Sequence, residues 1–239
     1  MSNPRKYTLL TESTYQGYPV QWKEEQSPLI KEALDRYIDQ IEAITSHYEH
    51  VFLVRFDLHL PKSSGDALVT PDEGNRRVSQ LFATLKENKF RQRKWGGQSI
   101  KTSAYGWCNE LEKAKQVHYH CWIAVAKGRV ENAGYINARP DGSFEGYGFI
   151  GMIYDLWQEL NPEGRAHVHC NASDSMRINS SDPEQVKAAV HWLSYLTKAR
   201  GKVTFKDTDG DPIRVRRFDG SRIKRKVQAS NQDNYANPV

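Results

Sequence analysis

The chain has 239 residues, 38% hydrophobic and 26% charged, with a formal net charge of +5. This suffices for one sizeable core, and no run approaches the roughly 20 apolar residues of a membrane span or forms an apolar leader near the N-terminus. Cys108, Cys121 and Cys170 are odd in number and lack a CxxC pair, which argues against a disulfide framework and for a reducing, cytoplasmic setting.

Residues 1–26 are polar, contain Gly17 and Pro19, and read as an N-terminal arm. The first fifty residues hold five Lys/Arg against eight Asp/Glu, so the remainder carries +8. Ser27-Pro28 reads as an N-cap followed by proline at the first helical position. Ile30, Leu34, Tyr37, Ile38, Ile41 and Ile44 then keep helical spacing, which predicts a helix over 28–47. VFLVRFDLHL follows. Phe52, Val54, Phe56, Leu58 and Leu60 alternate with Leu53, Arg55, Asp57 and His59, the pattern of a half-buried strand that Pro61 ends.

Val78, Leu81, Phe82 and Leu85 predict a second helix from about Asp72 to Asn88. A strand over Thr102 to Glu112 comes next, and Ala114-Lys115-Gln116 can turn the chain into VHYHCWIAV. Gly128 to Gly148 is glycine-rich and predicted to be a loop. Ile150, Ile153, Leu156, Trp157 and Leu160 predict a third helix ending near Asn161-Pro162, and Arg165 to Asn171 a strand. Asp182-Pro183-Glu184 starts a fourth helix, expected over 183–199. A hairpin around Asp209-Gly210, the basic run Arg214, Arg216, Arg217, Arg222, Lys224, Arg225 and Lys226, and a frayed end complete the chain. The expected class is α+β, one antiparallel sheet with helices against it. The expected division is an arm (1–26), a main domain (27–202) and a basic extension (203–239).

Chemistry concentrates in the VHYHCWIAV strand. Val117, Tyr119, Cys121, Ile123 and Val125 share one face, so His118 and His120 stand together on the other and can chelate a metal. A third ligand is usual. Glu110 qualifies if the two strands form a hairpin, because it then faces His118 across the ladder; Glu112 has the same parity. One carboxylate with two imidazoles suits Mn²⁺ or Mg²⁺. A second HxH, His167-Val168-His169, lacks such an acid and ranks as a lining or DNA-contacting pair. On the fourth helix the apolar stripe leaves His191, Tyr195 and Lys198 on the opposite face. A phenol titrates near 10, so attack by Tyr195 at neutral pH needs adjacent positive charge, which Lys198 can supply.

An apolar strand, an acid-bearing strand leading into HYH and a helix carrying SYLTK resemble the three motifs of HUH endonucleases, the single-tyrosine rolling-circle initiators. The longer context, TYQGYPVQW to WLSYLTKA, is similar to initiator-like proteins of inoviruses and prophages. The resemblance implies a ferredoxin- or RRM-like sheet with the histidine strand central. It implies a metal on Glu110, His118 and His120, Tyr195 as nucleophile with Lys198 as helper, and a 5′-phosphotyrosine intermediate on single-stranded DNA at a replication origin. No GxxxxGK[ST] loop is present, so no nucleotide cofactor is expected, and a host helicase and DNA polymerase would complete the task. Arg55, Asp57, His59, His169, His191, Arg214, Arg216 and Arg217 are candidate DNA-contacting residues. The rival readings are a transposase or relaxase with the same chemistry, and a non-catalytic RRM-like nucleic-acid-binding module.

Overall fold

A computed structural model describes residues 7–24, 27–61, 69–87, 100, 102–111, 117–130, 132–200 and 215–227. Arg214, Glu112, the 114–116 turn and the hairpin expected around Asp209-Gly210 lie outside them.

The N-terminal segment is folded rather than a free arm. β1 (Leu9–Leu10) is followed by a hairpin of β2 (Thr14–Tyr15) and β3 (Tyr18–Pro19). Its turn places Gln16 and Gly17 at φ 51° and 79°, the positive values that a two-residue hairpin turn demands and glycine supplies at least cost. Leu10 and Val20 are buried. β4 (Leu29–Ile30) pairs with β1, so α1 (Lys31–His47) starts three residues later than the Ser27-Pro28 signal predicts. Ile30 takes the cap position without a side-chain cap. The carbonyl of Thr8 accepts from Lys31 N at 2.9 Å in its place.

Next come β5 (His50–His59) and α2 (Pro71–Lys86), the latter capped by the Thr70 hydroxyl, which accepts from Glu73 N. β6 (Ser103–Leu111) and β7 (Val117–Ala126) follow. The segment predicted as a loop contains a hairpin, β8 (Tyr135–Ala138) and β9 (Phe144–Tyr147), turning through Asp141 and Gly142 (φ 77°). Its glycines serve the turn and a close backbone approach, since a Cβ on Gly146 would sit 2.4 Å from Gly151 Cα. α3 (Gly148–Glu159) and β10 (His167–His169) precede β11 (Ser175–Asn179), a strand the periodicity does not reveal. α4 (Pro183–Ser194) ends five residues short of the expected 199, its last turn tightening into a 3₁₀ turn at Tyr195–Thr197. β12 (Phe218–Gly220) closes the described chain.

The fold is α+β. One antiparallel sheet runs β10–β5–β7–β6–β12, with β11 also pairing with β5. β5, α2, β6, β7, α3 and β10/β11 form a β-α-β-β-α-β unit of ferredoxin-like order, with β7 between β5 and β6. α2 and α3 cover one face over Phe52, Val54, Phe56, Leu58, Tyr119, Cys121 and Ile123. α1 and α4 cover the other, but only over Val51, Leu53, Ala104, Cys108, Trp122 and Ala124. Each fully buried Leu, Ile, Val or Phe contributes about 1.5–3 kcal/mol. The half-buried pattern of β5 is therefore half true: its second face is apolar at one end and polar at the other.

Residues 221–226 lie along α1. Gln40 accepts from Ser221 Oγ (2.6 Å) and Ile223 N (3.0 Å), and Ser46 Oγ accepts from Lys226 N at 2.8 Å. Arg225 pairs with Glu42 and Asp39, so part of the basic run neutralises the acidic outer face of α1. Among the described residues no helix is long and apolar enough to cross a membrane.

Gly106 on β6 lies beneath Trp122 and Tyr37; a Cβ there would stand 2.5 Å from Trp122 Nε1 and 2.6 Å from Tyr37 Cε1. Gly106→Ala is expected to destabilise the fold by about 1–3 kcal/mol through overpacking, read from urea unfolding midpoints at unchanged slope.

Candidate functional site

The polar end of the α1/α4 face carries the chemistry. Register places Glu110 directly opposite His118, and His118 opposite His59; Cys108, His120 and Asp57 form the next row. His118 Nε2 and His120 Nε2 are 3.1 Å apart, and His120 Nε2 is 3.0 Å from Glu110 Oε2. The three ligand atoms lie within 4.8 Å of one another, and the cluster could hold a metal ion. The donor set fits such an ion. Two imidazole nitrogens converging on one carboxylate need a shared cation or proton between them. His118 is buried and His120 half-buried, so this is not the wetted sheet face that an isolated HxH suggests.

Asp57 Oδ1 lies 2.6 Å from His120 Nδ1. The parity of β5 puts Asp57 on the correct face, but its duty follows only from the β5–β7 register. By fixing the outer nitrogen it turns Nε2 toward Glu110 and His118, the carboxylate–histidine arrangement that orients metal ligands. Burial disfavours the charged form of His120, but the hydrogen bonds to Asp57 and Glu110 override it and push its pKa up to about 10. Burial also raises Asp57, yet the hydrogen bond and charge of His120 hold it below the usual carboxylate value.

Tyr195 and Lys198 reach the same place from another part of the chain. With Leu196 and Arg200 they line a cavity of about 230 Å³ whose other walls are Glu110 and His120. Tyr195 is 44% exposed, and Lys198 Nζ stands 4.2 Å from its ring centroid. Burial, Arg200 and Lys23 hold the Lys198 ammonium below its ordinary value. The tyrosine turn is pinned on several sides. The Cys108 thiol donates to Leu196 O at 2.8 Å, Leu29 bridges to Lys198, Ala199 N donates to Pro28 O at 2.8 Å, and Gln21 N donates to Ser194 Oγ at 2.7 Å. Residues expected to form a separate arm thus help build the site. A larger open groove of about 910 Å³, bordered by Glu42, His47, Ser180, Lys187 and Lys226, holds no metal-ligand cluster and lies apart from this chemistry.

The remaining candidates divide. His59 stacks on His118 (5.3 Å between ring centroids, 10° between planes) and neighbours His167 at 5.9 Å, so the second HxH borders the same sheet face. His167 in turn meets Phe144 of the β8–β9 hairpin at 5.4 Å, while His169 is paired opposite Asp57 and exposed. Arg55 lies against Trp192 and Tyr195. His191 is half-buried and does not line the cavity. Arg216 is tied to Asp219, and Arg217 is buried at 6% exposure, its pKa drawn down by desolvation, so neither offers a free surface guanidinium. The role of Arg200 is missed by sequence, because the helical wheel ends one turn too late to show that the chain bends back.

The family model for the YagK/YfjJ C-terminal domain matches residues 10–209, and the chain belongs to this family. It is similar to a curated protein of Escherichia coli (strain K12), "Uncharacterized protein YagK", at 25% identity over 175 residues, covering 67% of this chain and 81% of that protein. No solved structure matches. The match starts at residue 10, so it includes the segment from β1 to β3 that composition sets apart as an arm.

Because His120 carries a proton at neutral pH without a cation, a divalent ion must displace it. Affinity for a divalent ion, measured by isothermal titration, is expected to rise roughly tenfold per pH unit between about pH 7 and 9. In Asp57→Asn, which removes the charge that raises His120, the rise is expected to finish at lower pH.

Proposed function

We propose that this member of the YagK/YfjJ family nicks and rejoins single-stranded DNA through Tyr195, as a HUH-type initiator of rolling-circle replication. One observation carries the reading: Tyr195 and Lys198, far along the chain from the histidine strand, line one cavity with Glu110 and His120. A ferredoxin-like sheet with the histidine strand at its centre is consistent with it.

In this scheme Glu110, His118 and His120 hold a divalent ion, Mn²⁺ or Mg²⁺ by the hardness of the donor set. When bound, such an ion polarises a phosphoryl oxygen. The Tyr195 hydroxyl loses its proton to solvent and attacks the scissile phosphorus in line. The Tyr Oη–P bond forms as the P–O3′ bond breaks, and the departing 3′-oxygen takes up a proton. The products are a 5′-phosphotyrosine and a free 3′-OH. Lys198 supplies positive charge beside the ring while negative charge develops on the phenol and the phosphate. Attack by a 3′-OH on the phosphotyrosine runs the same steps backwards and rejoins DNA without a nucleotide cofactor. The 3′-OH primes a host polymerase, and a host helicase opens the duplex.

The test is incubation of the protein with end-labelled single-stranded oligonucleotides and Mn²⁺, followed by denaturing gels. A covalent band is expected, lost in Tyr195→Phe, in His120→Ala and on chelation. A band that survives Tyr195→Phe moves the nucleophile elsewhere, with exposed Tyr147 next in line. Binding without any band favours the RRM-like module.

A further inference from the structure

We propose that Arg55 is a positioning residue for Tyr195, clamping the nucleophile's ring to the central sheet; this rests on the reading of Tyr195 given above. Tyr195 sits in a 3₁₀ turn and is 44% exposed, so its own element gives the ring little lateral support. The Arg55 guanidinium supplies it. Its Cζ lies 4.7 Å from the Trp192 ring centroid and 5.6 Å from that of Tyr195, and NH1 donates to Trp192 O at 3.3 Å. One planar cation therefore contacts the last turn of α4 and the turn beyond it, across the point where the helix breaks.

The backbone of Arg55 is fixed in its turn. Its N–H donates to Asp174 O at 2.8 Å, and its carbonyl accepts from the Cys170 thiol at 3.4 Å, where the chain passes from β10 to β11. The charged and titratable groups acting on the guanidinium include Asp174, Asp57, Tyr195 and Cys108. Nε is buried without a hydrogen-bond partner, although two carboxylates are near. An arginine serving only as an ion-pair partner would turn that donor to an acid. Here the plane stays on the rings.

Arg55 and Asp57 are i and i+2 on β5 and point to the same face. Arg55 holds the phenol-bearing turn, and Asp57 holds the His120 ring. One strand thus sets the separation between nucleophile and metal ligands, a distance on which in-line attack depends steeply.

The experiment compares wild type, Arg55→Met (similar volume, no charge) and Arg55→Lys (charge without the planar fork) as full-length proteins. Each carries 3-fluorotyrosine at position 195. In Arg55→Met, the single-turnover rate of adduct formation at saturating oligonucleotide is expected to fall about 10²-fold with oligonucleotide Kd unchanged. The fluorine-19 resonance of residue 195 is expected to move, and Arg55→Lys to recover part of the rate. An unchanged saturating rate overturns the proposal. So does a loss confined to Kd, which makes Arg55 a phosphate contact. The fluorine measurement needs neither DNA nor turnover. If wild type forms no adduct, the nuclease reading fails, while a resonance unmoved by Arg55→Met separately overturns the clamp.

Discussion

His120 is gripped at both ring nitrogens, by Asp57 from β5 and by Glu110 from β6, and that grip exists only while three strands keep register. A slip of one residue would turn each side chain of a strand to the opposite face. The apolar rows guard against it, because Trp122, Ala124 and Leu53 under α1 and α4 would then exchange places with Cys121, Ile123 and Phe52 under α2 and α3. The catalytic geometry is thus a by-product of how the core packs. Polar groups at the end of the sheet follow the register that buried groups at its middle enforce.

The same sheet face serves two ends because its covering helices stop. α1 and α4 shield the rows from Ala104 to Cys108, and the face opens where α4 gives way to the tyrosine turn. The break in α4 therefore does two things at once. It uncovers the ligands, and it tips Tyr195 over them, held by Cys108 below, by Leu29 beside it and by the N-terminal segment through Gln21. An uninterrupted helix through residue 199 would carry the tyrosine along the axis instead of around the corner.

The strands of the central sheet, four helices and the metal triad were legible in the sequence because each is written in local periodicity. Alternation fixes which residues of β5, β6 and β7 share a face, and a hairpin then puts Glu110 opposite His118. What escaped was written in long-range pairing. Leu29-Ile30 carry strong helical spacing, yet β1 claims them first. β8 and β9 are short and glycine-bearing, and their pattern reads as a loop until Gly146 is seen against Gly151. Asp57 has the right parity, but nothing local says that its partner is His120, sixty-three positions on. Arg217 sits in a basic run and reads as surface, whereas it is buried next to β12.

β12 comes from the stretch that composition marks as a solvated tail, and it occupies the outer flank of β6. Without it, the strand bearing Glu110 would present a row of open amide and carbonyl groups, a template for another chain to add to. The basic terminus is therefore also a guard against self-association. Shortening it for convenience in expression would trade a charged appendage for an adhesive flank, beside the strand on which the ligand geometry depends.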